Sequence, residues 1–327
     1  MNTTVNASSC TNWLNPTAEK IVETSVYSLT FVVSLLGNTF IMIVVYRTQA
    51  LRKPINFFIV NMAISDLLFP IFMFPLSLTQ LYATTADSRS ISGPFGHALC
   101  KLIPFLPSVS VAVSIQSLVL IAVDRFGAVV FPFRSQLIGS KLCAFFILVT
   151  WIIAMVFNSP YFATVKLVVD PRGQPRCDVR WKEIFGESSS FAYYVITWFV
   201  AFYFIPTVLL IVLYSVILGR LKTQIFPGDQ SVNVEQQRAR RNKSVLKMSI
   251  AIVFAFALCW LPWSSIILLL FFVPDSNFHC DLLPYHDIAW FMAQANCAIN
   301  PVICFLSSER YRQSLKRLLK WFETLQE

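Results

Sequence analysis

Long apolar runs broken by short polar connections dominate this chain. Stretches of about 20 or more apolar residues, the length at which a helix crosses a bilayer, fall at residues 24–46, 55–82, 98–130, 142–163, 191–218, 245–273 and 283–306. The pattern predicts an all-α membrane protein. A seven-transmembrane helix bundle occupies 24–306, a polar segment precedes it at 1–23, and a short segment follows at 307–327. In that last segment Tyr311, Leu315, Leu318, Leu319 and Phe322 recur at helical spacing among Arg312, Lys316, Arg317 and Lys320. An apolar stripe beside a basic face describes a short amphipathic helix lying on the inner membrane surface. No soluble enzymatic domain, linker or sequence repeat is visible.

At 56% hydrophobic and 13% charged over 327 residues, the chain is too apolar for a soluble domain of this size. With the N-terminus outside, the inner segments hold 18 of the 26 Lys and Arg, among them Arg47, Arg52, Lys53, Arg134, Lys141, Arg220, Lys222, Arg238 and Lys247. The opposite orientation would invert this asymmetry, so the positive-inside rule selects a multi-pass plasma-membrane protein with an extracellular N-terminus. The net charge of +9 then describes an inner face turned to anionic membrane lipid and implies no nucleic-acid partner.

Residues 1–23 lack the apolar core of a signal peptide, so the first span acts as the insertion signal. Asn2-Thr3-Thr4 and Asn6-Ala7-Ser8 match the N-glycosylation acceptor pattern on the extracellular side; Asn242-Lys243-Ser244 matches it on the wrong side. Cys100 opens the third span from outside and Cys177 lies in the long loop after the fourth, where an oxidising exterior permits a bridge. Cys10 and Cys280 are the other external cysteines and form the natural second pair. Cys143, Cys259, Cys297 and Cys304 lie within spans, as small apolar packing residues. The three histidines, His97, His279 and His286, all lie outside and are not spaced as a metal site. No nucleophile or metal cluster converges, so an enzyme is not expected.

Pro262 interrupts the sixth span directly after Trp260 and Leu261. Such a proline survives in a membrane where neighbouring groups satisfy the freed carbonyl, and the kink beside a bulky aromatic describes a helix with more than one way to bend. The run Phe256-Ala257-Leu258-Cys259-Trp260-Leu261-Pro262 resembles the F-x-x-C-W-x-P signature of rhodopsin-like G protein-coupled receptors. The other spans carry further landmarks: Gly37-Asn38; Asn61 to Asp66; Cys100 and Asp124-Arg125-Phe126, similar to D-R-Y; Trp151 and Pro160; Pro206 and Tyr214; Asn300-Pro301. The 25-residue step from Cys100 to Arg125 also matches. These landmarks, in order and one set per span, identify the chain as a member of that family.

Two buried polar sites have meanings of their own. Asp66 is the carboxylate placed deep in a span; a lone charge there must face the bundle interior and find a partner. By itself it also reads as a protonated or water-bonded structural group. The resemblance implies a bound sodium ion, an allosteric ligand in a protein with no cofactor, with Ser114, Asn296 and Asn300 at the matching positions. Asp124-Arg125 at the inner end of the third span is at least an interfacial ion pair. The resemblance makes it a switch that releases Arg125 toward a heterotrimeric G protein as helix 6 swings out, and implies arrestin as a further partner. Three departures bear on this machinery. Phe126 replaces the usual Tyr. Cys304 stands where N-P-x-x-Y has its Tyr, which puts in doubt that residue's water-bridged contact to Tyr214. Asn242 occupies a helix 6 position that is acidic in many members.

The ligand is approached by elimination. Gln294 stands where light-sensing members carry the retinal lysine, and Pro107 stands where amine receptors carry an aspartate. Cys100-Lys101-Leu102-Ile103-Pro104-Phe105-Leu106 is similar to the C-K-x-x-P-F-L opening of helix 3 in tachykinin, neuropeptide Y and RFamide receptors. Residues 166–169, a turn at 170–173 and a return around 176–179 suggest a hairpin that would leave an open mouth suited to a peptide. Glu187, Asp275, Asp281 and Asp287 near that mouth favour a cationic peptide if they converge, and otherwise are solvated loop charges. The alternative within the class is a receptor for a lipid or other small molecule. A transporter or channel would need several intramembrane charges or broken helices around a midplane site, against the single Asp66 here.

Overall fold

The computed structural model describes residues 16–82, 93–131, 138–169, 175–186, 189–223, 232–272 and 276–324. Seven helices among them are long and apolar enough to cross a membrane. They are α1 (Pro16–Arg47), α2 (Pro54–Tyr82), α3 (Gly93–Val130), α4 (Ser140–Asn158), α5 (Ser189–Phe199, continued by Val200–Phe204 and Ile205–Thr223), α6 (Val232–Phe272) and α7 (Ser276–Ser307). An eighth helix, α8 (Glu309–Thr324), follows after a break at Ser308. The chain is a seven-helix membrane bundle with a terminal amphipathic helix, as the apolar runs predict.

The ends differ from the apolar runs where polar or proline-containing turns continue a helix. α6 starts at Val232, not 245, because Glu235 to Lys247 are good helix formers that need no apolar contact to extend it. Prolines at Pro16 and Pro54 open α1 and α2, where a missing N–H costs no helical bond. α4 stops at Asn158 because Pro160 cannot continue its ladder; the Val156 carbonyl instead receives the Ser159 amide at 3.2 Å and its hydroxyl at 2.8 Å. Within α5 the turn Val200–Phe204 is π-helical just before Pro206, which cannot donate back to Phe202.

Between α4 and α5 the chain forms the hairpin suggested by the sequence. β1 (Val165–Val169) pairs antiparallel with β2 (Pro175–Val179), with Leu167 opposite Cys177. Cys177 is bonded to Cys100 of α3, their Cα atoms 5.4 Å apart, so the hairpin is stapled across the end of the bundle. A helical turn, Trp181–Phe185, then folds back, and the Trp181 ring packs 4.7 Å from Tyr194 of α5. Lys166 donates to Glu183 at 2.7 Å and holds that carboxyl below its ordinary value.

The bundle closes where α1 meets α7. Pro301 has no N–H for the Cys297 carbonyl four residues earlier; α1 satisfies it instead, with Asn38 Nδ2 at 2.9 Å and Ser34 Oγ at 3.3 Å. Gly37 allows this approach. A Cβ there would lie 2.7 Å from Pro301 Cγ, and the proline ring has little freedom to yield. Gly37→Ala is therefore expected to destabilise the bundle by about 1–3 kcal/mol as an overpacked contact. A lower melting temperature of the detergent-solubilised protein checks this, and an unchanged one refutes the tight α1–α7 contact.

Candidate functional site

Asp66 of α2 is buried at the centre of the bundle. Its two oxygens face different helices: Ser114 Oγ of α3 donates to Oδ1 at 2.5 Å, and Asn300 Nδ2 of α7 donates to Oδ2 at 2.8 Å. Ser65 Oγ lies 2.9 Å from Ser114 Oγ, and Ser110 donates to the Ser65 carbonyl at 2.7 Å. Asn296 Oδ1 and Asn300 Oδ1 are buried without a hydrogen-bond donor. A cavity of about 10 Å³, near the lower limit for a single water, adjoins Asp66, Ser114, Trp260, Gln294 and Asn296. The donor set is all oxygen, with one carboxylate and amide oxygens still free. It fits a hard monovalent cation better than a divalent one, which asks for more charge. Asp66, Ser114, Asn296 and Asn300 are thus brought together.

Above this cluster, an aromatic series crosses from α5 to α6. Phe199 packs 5.1 Å from Tyr203, Tyr203 lies 6.4 Å from Phe256, and Phe256 stacks 6.1 Å from Trp260. α6 runs unbroken through Pro262. Trp260 forms one wall of the Asp66 cavity.

At the far end of α3, Asp124 and Arg125 form an ion pair, with side chains 9% and 14% exposed. Arg125 Nε also donates to Asp124 Oδ2 at 3.2 Å. Tyr214 of α5 is buried. Asn242 lies on α6, with its side chain outside the described residues.

The ligand-side candidates are not assembled in the same way. Pro107 is buried inside α3. Gln294 is also buried, and its Nε2 reaches Tyr27 of α1 at 3.5 Å. Asp287 is 60% exposed and accepts His286 at 2.9 Å. Asn2, Asn6, Cys10, Glu187 and Asp275 lie outside the described residues, as do the side chains of Cys280 and Asp281. Sequence reasoning missed the group beside Asp287: Trp263 packs 4.5 Å from Trp290 and 5.0 Å from His286. It also missed Tyr311. Taken as one position of the amphipathic stripe, Tyr311 is instead fully buried and donates to Asn56 Oδ1 of α2 at 3.2 Å. Burial holds its phenol well above the ordinary range, so the hydroxyl remains a donor.

This geometry, with a staple at one end, a buried carboxylate in the middle and an arginine at the other end, is that of a seven-helix receptor. The family described as 7 transmembrane receptor (rhodopsin family) matches residues 37–304, and the chain belongs to it. The RYamide receptor of Drosophila melanogaster is 30% identical over 308 residues, covering 92% of this chain and 63% of the receptor. Neuropeptide receptor 22 of Caenorhabditis elegans is 30% identical over 294 residues, covering 88% and 67%. The Substance-K receptor of Bos taurus is 28% identical over 311 residues, covering 95% and 78%. The chain thus spans about two thirds of the first two relatives and groups with neuropeptide-type members of the family, which are not enzymes.

Proposed function

We propose that this protein is a cell-surface receptor, N-terminus outside, that binds an extracellular peptide and activates a heterotrimeric G protein. The carrying observation is the similarity to an RYamide receptor over 92% of the chain. The stapled hairpin supports it, because among the described residues it is a two-stranded ribbon at the end of the bundle. Pro107, Glu187, Asp275, Asp287 and Gln294 are the proposed ligand contacts. The Trp263–Trp290 pair beside Asp287 gives a cationic side chain an aromatic surface as well as a carboxylate. Agonist binding changes the bend of α6 at Pro262, moves Trp260 against the Asp66 cavity and opens the cytosolic end, freeing Arg125 for the G protein. Asp124, Tyr214, Asn300 and Pro301 belong to the same path, and arrestin engages the same opened end. A calcium and cyclic-nucleotide screen of transfected cells against a neuropeptide library tests this reading. A saturable response to a peptide supports it; responses to lipids alone replace it with the small-molecule reading.

Sodium held by Asp66, Ser114, Asn296 and Asn300 would favour the closed packing and therefore oppose agonist by linkage. Raising sodium is expected to weaken agonist affinity by a factor of roughly 5 or more. Asp66→Asn, which keeps the shape and removes the charge, should abolish that dependence. Radioligand binding in sodium against the larger N-methylglucamine cation measures it. An equal sodium effect in the variant sinks the assignment.

A further inference from the structure

The corner between α7 and α8 holds a device that the path above does not use. Tyr311 is 1% exposed, among the largest side chains buried so fully. Its hydroxyl reaches Asn56 Oδ1, and the other end of that amide, Nδ2, donates to the Leu51 carbonyl at 2.6 Å. Asn56 is thereby pinned to the turn between α1 and α2. The corner itself is stiff: the Ser308 amide bonds the Cys304 carbonyl at 3.2 Å and the Arg312 amide bonds the Ser308 carbonyl at 3.1 Å. A backbone movement that separates Tyr311 from Asn56 therefore carries the end of α7 away from α1 and α2. Cys304, fully buried on α7, carries a short thiol. Phe305, next to it, meets the Tyr311 ring edge-on at 6.1 Å. The phenol of this corner thus sits on α8 and points at the α1–α2 turn. A second clasp lies further along α8, where the Arg47 guanidinium sits 4.7 Å over the Trp321 ring.

We propose that the Tyr311–Asn56 hydrogen bond is a latch, holding the α7–α8 corner against the α1–α2 turn in the resting bundle and opening when the cytosolic end rearranges around Arg125. Tyr311 is a positioning residue: it acts on Arg125 through the placement of α7. A buried bond present in one state only shifts the balance between states by its full worth, about 2- to 12-fold for an ordinary hydrogen bond. Bonds made in both states shift nothing.

The proposal rests on the receptor reading, and its test has one arm that does not. Tyr311→Phe keeps the ring and removes the hydroxyl. Basal nucleotide exchange per receptor should rise about 2- to 12-fold, and Asn56→Leu should do the same. The double variant should match Asn56→Leu alone, because the bond is already lost. In parallel, membranes are treated with N-ethylmaleimide and the four buried free thiols among the described residues are read by mass spectrometry. In Tyr311→Phe, labelling should rise at Cys304 and stay low at Cys143, Cys259 and Cys297. Unchanged exchange with unchanged Cys304 labelling overturns the latch, and so does a rise at all four thiols, which marks a general loosening. A wild-type chain that drives no exchange with any peptide defeats the receptor reading instead; selective Cys304 labelling then still upholds the local latch.

Discussion

Arg125→Ala is expected to reach the membrane and bind agonist with near wild-type affinity, yet to lose nearly all agonist-stimulated nucleotide exchange. The separation of the two ends dictates this. Arg125 lies 25 residues beyond Cys100 on the continuous helix α3, which at 1.5 Å per residue places it about 38 Å from the staple. No ligand at the mouth touches it, so any effect between them passes through a bundle with two arrangements. On the proposed mechanism, removing Arg125 takes away the output and leaves the mouth intact. The variant leaves Asp124, 9% exposed at its side chain, without its counter-charge, so receptor level at the surface is measured beside binding. Radioligand binding and exchange assays at matched receptor levels decide the matter. Full signalling by the variant would falsify the mechanism, and lost binding would move Arg125 from output to folding.

The bundle was legible because lipid leaves the chain few choices. A run of twenty apolar residues must be a spanning helix, and the seven runs are found at their expected places. Asp66 was legible for the same reason: a charge at that depth has to be met by neighbours, here Ser114 and Asn300. Helix ends were less so, since the first turns of α6 are polar and carry no burial signal. Tyr311 shows a different limit. Periodicity placed it on the apolar face of α8 but is silent on depth, and the Asn56 that receives it lies 255 residues earlier. The Trp263, His286 and Trp290 cluster was invisible for a similar reason: it joins α6 to α7 through aromatic contacts that leave no pattern along either helix. Asp287 was named from charge alone, and the structure adds that its carboxylate is already engaged by His286.

Cys177→Ala is expected to cost agonist binding far more than any single contact at the mouth. The bridge to Cys100 closes a loop of 77 residues, and a crosslink of that span stabilises by about 4 kcal/mol in chain-entropy terms. The loss is not shared evenly over the molecule. α3 and α4 are held elsewhere, by Asn61, which donates to Ser117 at 2.9 Å and accepts the Trp151 indole at 2.8 Å. The hairpin has less to fall back on: among the described residues its two strands pair with each other, and beyond them Trp181 packs among the aromatic rings of α5 and Lys166 bonds Glu183 at the exposed surface. Without the bridge it keeps its own pairing and loses its place over α3. Binding should therefore collapse while the buried network around Asp66 persists. Cys100→Ala, Cys177→Ala and the double variant should fall together, and dithiothreitol should reproduce them in the wild type. Retained affinity in Cys177→Ala would mean that the ligand does not enter past the hairpin. Entry between helices from the bilayer would then be the route, and the ligand a lipid instead of a peptide.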